Sequence, residues 1–395
     1  RLRLTRLPGN YPYTRTEALA MIRAEWPQCT EEQFDTLVDH GRIDWRMVDG
    51  ELRCQERFLE SLRIYPKEAP GLIQEPQDHS ARDAVLARME AEGALTARIT
   101  LRATIRSLAP VTGQEVQAWL PIPAACPHQS QIQILDHTPG GIAAPECAPQ
   151  RTMWWRTQGV DTFSVTYRYL IRAQYTDPMT LPLDPVQPTF DLEEQAPHIV
   201  FTPYLRALAK DICRGCSTPA EKARAIYDYV TGQVDYRYQP AYLQLDCIAD
   251  QCAKTLRGDC GVFALLFITL CRISGIPARW QSGLAVRPDS VGPHDWAMFY
   301  LAPHGWLWAD CSFGSSARRN GETERRRHYF GSLDPWRMVA NSAFQAPLTP
   351  PMQDWRQDPY DNQVGEVMVG GRGLDASERE TSQELLEFEL LPGET

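Results

Sequence analysis

Hydrophobic and polar positions follow different periods along the chain, and one stretch stands apart from the rest. From Gly261 through Cys271 no residue is charged. This run is too long for an ordinary strand and is apolar on every side, so it predicts a fully buried helix. Gly258 and Asp259 can stop the preceding chain and cap the helix, and Gly275-Ile276-Pro277 can end it.

The rest of the pattern predicts four parts in an α+β protein. Residues 1–77 carry helix-start signals and a hairpin signal, which predict a small, mainly helical domain. Residues 78–190 alternate polar and apolar positions between prolines and glycines, which predicts an antiparallel β-domain, a sandwich. Residues 191–350 contain the buried helix and the strands that follow it. We expect residues 351–395 to form an extension that packs along an earlier domain, adds a strand to it and takes no part in catalysis.

Composition and charge exclude several classes of function. A chain of 395 residues with 43% apolar and 23% charged residues is typical of a globular protein with two or three domains. The net charge of −10 argues against binding to nucleic acid. No apolar run reaches the roughly 18 residues that a membrane span needs, so we expect no membrane partner.

The cysteine count indicates a compartment. Eleven cysteines are an odd number, which argues against a complete disulfide framework. We therefore expect a cytoplasmic protein, of bacterial origin, although a removed signal peptide would leave no trace in a chain that begins at Arg1.

Cys260 lies at the N-terminus of the predicted buried helix. At this position the free N–H groups and the helix dipole favour a thiolate, and the same N–H groups can donate to an oxyanion. The position is typical of a cysteine nucleophile. Such a nucleophile also needs a base and, usually, a third group that orients the base.

Two strands predicted after the helix supply residues for both roles. His294 and Trp296 share one face of the first strand, and Asp310 ends the second. If Trp296 lies opposite Asp310, then His294 and Asp310 are diagonal neighbours, with backbones about 7–8 Å apart. Asp310 would then hold one imidazole nitrogen and leave the other directed at the sulfur of Cys260.

These motifs together resemble the core of the transglutaminase-like superfamily. The resemblance is carried by Gly258-Asp259-Cys260, by the stretch that ends at Gly275-Ile276-Pro277-Ala278-Arg279, by His294-Asp295-Trp296 and by Asp310. It implies a papain-like α+β core, here preceded by the β-sandwich and the small helical domain. It also implies a Cys-His-Asp triad, which maps onto Cys260, His294 and Asp310.

The resemblance suggests further site residues. Family members often place an aromatic or amide side chain upstream of the cysteine to help hold the oxyanion, and the candidates here are Tyr236, Tyr238 and Gln251. Other residues near the motifs are candidates for the wall of a substrate cleft: Asp259, Trp280 and Trp296. We expect most of the tryptophans, however, simply to fill the core behind the hairpin.

Four other cysteines lie upstream of Cys260. Cys213 and Cys216 have the spacing of zinc ligands, whereas Cys247 and Cys252 are spaced more loosely. No histidine completes the set, so we expect neither a metal nor another cofactor.

The sequence therefore predicts a cysteine-dependent amide hydrolase of the peptidase type that forms a thioester with a peptide or protein substrate. Nothing signals the calcium sites or the activation segment of cross-linking enzymes. Two alternatives stay open. One is a protein-glutamine acyltransferase, and the other is a catalytically silent scaffold that binds a peptide or a glycan.

Overall fold

The computed structural model describes residues 2–72 and 78–392, and it confirms the predicted α+β class. Helices and antiparallel sheets occupy separate layers. Short 3₁₀ turns occur at Pro178–Thr180, Tyr242–Gln244 and Ala376–Glu378. We retain the four ranges given above as a proposal for the domains.

The N-terminal part is a helical unit with a small sheet. Its elements are α1 (Leu2–Asn10), β1 (Tyr13–Thr14), α2 (Arg15–Glu25), α3 (Glu31–Asp39), β2 (Trp45–Val48), β3 (Glu51–Cys54) and α4 (Phe58–Arg63). Thr14 and Thr30 each form a capping box, which fixes where α2 and α3 begin. Asp49 and Gly50 both have positive φ, as the turn of the β2–β3 hairpin requires.

Two antiparallel sheets, referred to below as the sandwich, follow. Its elements are α5 (Ser80–Glu92), β4 (Ala94–Ser107), β5 (Glu115–Pro121), β6 (Gln129–His137), β7 (Ile142–Ala143), β8 (Thr152–Gln158) and β9 (Thr162–Gln174). The inward-facing residues of both sheets form one buried cluster, because apolar positions alternate along β4 and β9.

The core lies next in the chain. Its elements are α6 (Pro203–Ile212), α7 (Pro219–Gln233), β10 (Asp235–Tyr236), α8 (Ile248–Thr255), β11 (Arg257–Gly258), α9 (Cys260–Ile273), β12 (Ala278–Arg287), β13 (Ser290–Leu301), β14 (Gly305–Ala309), α10 (Cys311–Arg319), α11 (Thr323–His328), β15 (Phe330–Gly331) and β16 (Arg337–Asn341). The strand order in its main sheet is β15-β14-β13-β12-β16. Every residue of α9 from Gly261 to Cys271 is buried, as the sequence predicts.

The core sheet and the sandwich share a hydrophobic cluster. Leu284 of β12 and Met338 of β16 belong to the buried cluster of the sandwich. Their strands pair with a register shift at Ser282/Gly283, where a Cβ on Gly283 would lie 1.9 Å from the carbonyl oxygen of Met338. Only glycine permits this close approach within the core sheet, and the shared cluster packs this edge of the sheet against the sandwich.

The chain returns to the sandwich at its C-terminal end. The last strands are β17 (Glu366–Val369), β18 (Arg372–Gly373) and β19 (Arg379–Leu390). β17 pairs with β5, and β19 pairs with β4 along almost its full length. Acidic side chains of β19 face arginines of the neighbouring strands, with Arg98–Glu389 at 2.6 Å and Arg106–Glu380 at 2.9 Å. In the described ranges no helix is long and apolar enough to cross a bilayer.

Candidate active site

The N-terminus of α9 presents Cys260 as predicted. The carboxylate of Asp259 caps the helix by accepting from the backbone N–H of Val262 at 3.3 Å, and it also accepts from Tyr242 Oη at 2.5 Å. A Cβ on Gly261 would lie 2.2 Å from Tyr242 Oη and 2.9 Å from Asp295 Oδ2. Glycine at position 261 therefore lets a tyrosine and a carboxyl approach the start of the helix beside the cysteine.

His294 and Asp310 form the predicted pair. Nε2 of His294 lies 2.7 Å from Oδ2 of the fully buried Asp310. The register of β13 and β14 pairs Ala297 with Ala309, so it places Trp296 opposite Asp310, as the sequence predicts. The other carboxylate oxygen of Asp310 accepts from the backbone N–H of Phe313 at 2.9 Å and thereby caps α10.

The charges around this pair set its protonation. Burial disfavours the charge of Asp310, but His294 and Arg337 outweigh it and hold the pKa of the carboxyl below its ordinary value. Arg337 lies 2.8 Å from Asp310, and both side chains are fully buried. Burial lowers the pKa of His294 despite Asp310, so the imidazole is neutral. Nε2 then carries the proton that it donates to Asp310, and Nδ1 is the basic nitrogen.

The sulfur of Cys260 has a partner that the sequence analysis missed. Sγ donates to Oδ2 of Asp295 at 3.2 Å. Asp295 follows His294 in a regular stretch of β13, so the two side chains lie on opposite faces of the sheet. The predicted contact between Asp310 and His294 is present, whereas the predicted contact between His294 and Cys260 is absent in this structure.

The surroundings of the thiol oppose the thiolate that its helix position led us to expect. Burial raises the pKa of the Cys260 thiol well above its ordinary value, and the carboxyls of Asp295 and Asp259 raise it further. Desolvation and two acidic neighbours thus outweigh the helix N-terminus.

Carboxyl groups are concentrated on the cysteine side of the sheet. Burial and then Asp259 raise the pKa of Asp295 to about 8, and burial raises that of Asp259 itself to about 6. Asp361, from the chain beyond the core, adds to the group, and burial followed by Asp295 raises its pKa to about 8. Ser282 of β12 donates to Asp361 at 2.6 Å.

Two of the three oxyanion candidates lie near Cys260. The pKa of Tyr236 and of Tyr238 is raised by burial and, to a smaller extent, by the cysteine, and the two rings meet edge to face with centroids 5.6 Å apart. Gln251 instead lies on α8, and no hydrogen bond joins it to Cys260 in the described part of the chain.

The N-terminal helical unit contacts Tyr236 of β10 and Tyr238, which follows that strand. The guanidinium of Arg57 lies 3.5 Å from the ring centroid of Tyr238, and Tyr65 Oη donates to the carbonyl of Tyr236 at 3.0 Å. The backbone N–H of Tyr238 donates to Ser61 Oγ at 3.1 Å. The small helical unit therefore fixes the position of the tyrosines next to the cysteine.

The two tryptophan candidates for a cleft wall are core residues. Trp296 is fully buried, packs with Leu333 and donates from Nε1 to Gln281 at 2.7 Å, on the sheet face away from α9. Trp280 is buried against Phe344, with ring centroids 5.0 Å apart. Both rings are covered by neighbouring side chains and fill the core in this structure. Asp259 lies beside the cysteine, but its carboxyl caps α9.

The cysteines considered as zinc ligands do not converge. Cys213 is half-buried next to Ser274, with Sγ and Oγ 3.5 Å apart, whereas Cys252 is buried in the core. Within residues 2–72 and 78–392 no group of three or more His, Cys, Asp or Glu is arranged to hold a metal ion.

An α+β core with a cysteine at a helix N-terminus and a His–Asp pair on adjoining strands is the layout of the papain-like cysteine enzymes. Residues 206–311 match the model of the Transglutaminase-like superfamily, which confirms the predicted resemblance. The match covers less than half of the chain, so the similarity is that of its core. No curated protein matches the sequence.

Several solved structures are similar. A candidate cysteine protease from Cytophaga hutchinsonii matches 76% of this chain and 92% of its own, at 16% identity and a TM-score of 0.47. The periplasmic domain of TgpA from Pseudomonas aeruginosa matches 62% and 96%, at 15% identity and a TM-score of 0.31. A candidate protease from Parabacteroides distasonis matches 70% and 47%, at 10% identity and a TM-score of 0.26. None of these reaches a TM-score of 0.5, so neither substrates nor residue roles pass from those proteins to this chain.

Proposed function

We propose that the chain is a cysteine-dependent amide hydrolase acting on a peptide or protein substrate. Cys260 is the nucleophile, His294 the base and Asp310 the residue that orients the base. The observation that carries the proposal is the 2.7 Å contact between His294 Nε2 and Asp310 Oδ2. This contact leaves Nδ1 as the basic nitrogen in a core whose cysteine begins a buried helix.

The reaction requires the thiol to leave Asp295. Because His294 and Asp295 lie on opposite faces of β13, the backbone at His294 and the start of α9 must shift as well as the Cys260 side chain before Sγ meets Nδ1 of His294, which accepts the thiol proton. A substrate amide placed at the helix N-terminus supplies the reason for this change, because its carbonyl carbon then lies next to the sulfur. Loss of the contact with Asp295 also removes one cause of the raised thiol pKa.

The chemical steps follow from these positions. The thiolate attacks the amide carbonyl carbon and forms a C–S bond, and the carbonyl oxygen becomes an oxyanion held by backbone N–H groups at the start of α9 and by Tyr236. The imidazolium of His294 protonates the leaving nitrogen as the C–N bond breaks, which leaves a thioester. Water then attacks the thioester and gives its proton to His294, and the C–S bond breaks to release a carboxylic acid and the thiol.

The cysteine substitution tests the proposal most directly. Cys260→Ala should lower the rate of peptide amide hydrolysis by about 10³-fold or more, measured by release of new amino termini from a peptide library. Cys147→Ala, at an exposed and unpaired cysteine of the sandwich, is the matched control and should retain wild-type rates. Hydrolysis by Cys260→Ala near the wild-type rate would contradict the mechanism.

One observation favours a second candidate, the silent binding scaffold. Sγ of Cys260 contacts Asp295 and not His294, and its thiol has a raised pKa. A thiol-directed acyl-amide probe separates the candidates, since an enzyme forms a thioester at Cys260 at neutral pH and a scaffold does not. Incorporation of a primary amine into a glutamine peptide would instead identify an acyltransferase.

A further inference from the structure

The C-terminal segment, residues 351–365, reaches the candidate active site. Gln363 donates from Nε2 to Asp295 Oδ1 at 2.6 Å and to the backbone carbonyl of His294 at 3.0 Å. Asp361 is hydrogen-bonded to Ser282 and interacts with the carboxyl of Asp295. Both residues lie well beyond residues 206–311, which match the family model. The sequence did not indicate that the extension reaches the site, and here it supplies the neighbours of Asp295.

This stretch is itself firmly placed. The ring of Tyr360 stacks on Phe344 with centroids 5.1 Å apart and planes at 9°. The carbonyl of Asn362 accepts from Asn341 Nδ2 of β16 at 3.1 Å, and its side chain accepts from the backbone N–H of Gly365 at 2.8 Å. Asp361 and Gln363 thus enter the site from a segment that is fixed on both sides, and β17 follows directly.

From these contacts we propose that Asp295 is a positioning residue for Cys260, and that Gln363 and Asp361 hold it in place. Asp295 keeps the thiol turned away from His294 until substrate arrives. The inference rests on the proposed function, because it assigns a resting state to the same nucleophile. The C-terminal segment then controls whether the thiol of Cys260 stays turned away from His294, although this segment belongs to a different part of the chain.

The titratable groups around the sulfur are two carboxyls and three tyrosines, and the guanidinium of Arg57 lies behind the tyrosines. The groups facing it come from the N-cap of α9, from the strand and loop upstream of it, and from β13: Asp259, Tyr236, Tyr238, Tyr242 and Asp295. Behind Asp295 lie Asp361 and then Asp358, and burial raises the pKa of each of them. Once Asp295 ionises, its negative charge lies 3.2 Å from Sγ, the distance of its hydrogen bond, and opposes formation of the thiolate.

The pH dependence of alkylation at Cys260 tests the inference. Iodoacetamide reacts with the thiolate, so the rate of labelling, followed by peptide mass spectrometry, reports the midpoint of thiol ionisation. Asp295→Asn keeps the shape of the side chain and removes the charge. We expect its midpoint to lie lower than that of the wild type by about one pH unit or more, with about tenfold faster labelling at pH 8. An unchanged midpoint would overturn the inference.

A second pair of variants isolates the C-terminal segment. Gln363→Ala removes the donor that holds Asp295, so its midpoint should shift in the same direction as that of Asp295→Asn, by a smaller amount. Gln353→Ala changes the same residue type at an exposed position of the segment, where the side chain donates to the carbonyl of Pro351 at 3.2 Å. Its midpoint should match the wild type. Equal midpoints for the two glutamine variants would contradict the role of Gln363, and this comparison decides the matter if Asp295→Asn does not fold.

The experiment is independent of catalysis. Labelling at Cys260 is measured whether or not the protein hydrolyses an amide, and Cys260→Ala provides the blank. A protein without amidase activity but with the expected shifts would retain Asp295 as the partner of the thiol and discard the proposed reaction. A protein with amidase activity and no shifts would retain the proposed reaction and discard Asp295 as the positioning partner of the thiol.

Discussion

The two faces of β13 hold two buried carboxyls with opposite behaviour. Asp310, on the His294 side, is fully buried and has a pKa below its ordinary value, whereas Asp295, on the Cys260 side, is almost as buried and has a pKa raised to about 8. The difference lies in the partners. His294 and the guanidinium cation of Arg337, which contacts Asp310 at 2.8 Å, lower the pKa of Asp310, whereas in the described ranges no Arg or Lys forms an ion pair with Asp295. Burial alone therefore does not decide the charge of a carboxyl, and the partner does.

This comparison divides the site into two halves. The organised half is His294 with Asp310, and the unready half is Cys260 with Asp295. On one face, a charged Asp310 orients a neutral imidazole. On the other face, burial and the neighbouring carboxyls favour the protonated thiol. In the proposed mechanism the two halves come together only when Sγ moves from one partner to the other, which is the step that a substrate must bring about.

The largest expected effect comes from removal of the cation. Arg337→Met would leave Asp310 and Asp334 buried without their counter-charge, since Arg337 also contacts Asp334 at 2.6 Å. We expect the free energy of unfolding to fall by about 3–5 kcal/mol, measured by urea denaturation. If the variant unfolds at the same urea concentration as the wild type, the ion pair is not what distinguishes the two faces.

The next effect should appear in catalysis. Asp310→Asn keeps the shape of the side chain, but its amide can present a donor to Nε2, which favours the wrong imidazole tautomer. We expect kcat for the hydrolysed peptide to fall by about 10²-fold or more, with a smaller change in KM. Asp289→Asn, in the exposed turn between β12 and β13, is the matched control. Equal kcat values for the two variants would remove Asp310 from the mechanism.

Much of the organised half could be predicted from the sequence because its signals are local. The uncharged run and its N-cap indicate a buried helix that begins at Cys260, and a regular hairpin register brings His294 next to Asp310. The sequence also contains a signal for the sheet face on which Asp295 lies. The apolar residues Ala297 and Phe299 lie at every second position after it, so Asp295 belongs to the face that packs on α9.

The other half could not be predicted in this way. Asp361 and Gln363 come from a proline-rich segment without periodicity, and they reach Asp295 only because the chain crosses the core before it returns to the sandwich. Local patterns do not encode such long-range contacts. The sequence left both positions open for the tryptophans for a related reason, since a pattern of alternation does not distinguish a cleft wall from a covered core position.

A pH-dependent stability measurement sharpens the comparison further. Asp295 has a pKa near 8 in the folded chain and an ordinary value of 3.8 when unfolded. The folded state therefore binds more protons between these values, and stability falls as pH rises through this window. Asp295→Asn removes this loss, so at pH 8 it should be more stable than the wild type by about 1 kcal/mol or more, with little difference at pH 4. Asp310, with its lowered pKa, acts in the opposite sense, and stability from it is lost as pH falls below 3.8.

The smallest effect on stability should come from a solvent-exposed ion pair on the protein surface. Arg106 of β4 and Glu380 of β19 are 2.9 Å apart, as close as the buried pair of Arg337 and Asp310, but their side chains are 49% and 62% exposed. Water and salt screen this pair, so we expect Arg106→Ala to change the free energy of unfolding by about 0.5 kcal/mol or less. Because distance is nearly equal in the two pairs, their unequal effects in urea denaturation would isolate burial as the cause. A loss for Arg106→Ala as large as that for Arg337→Met would instead mean that contact distance sets the strength of both pairs.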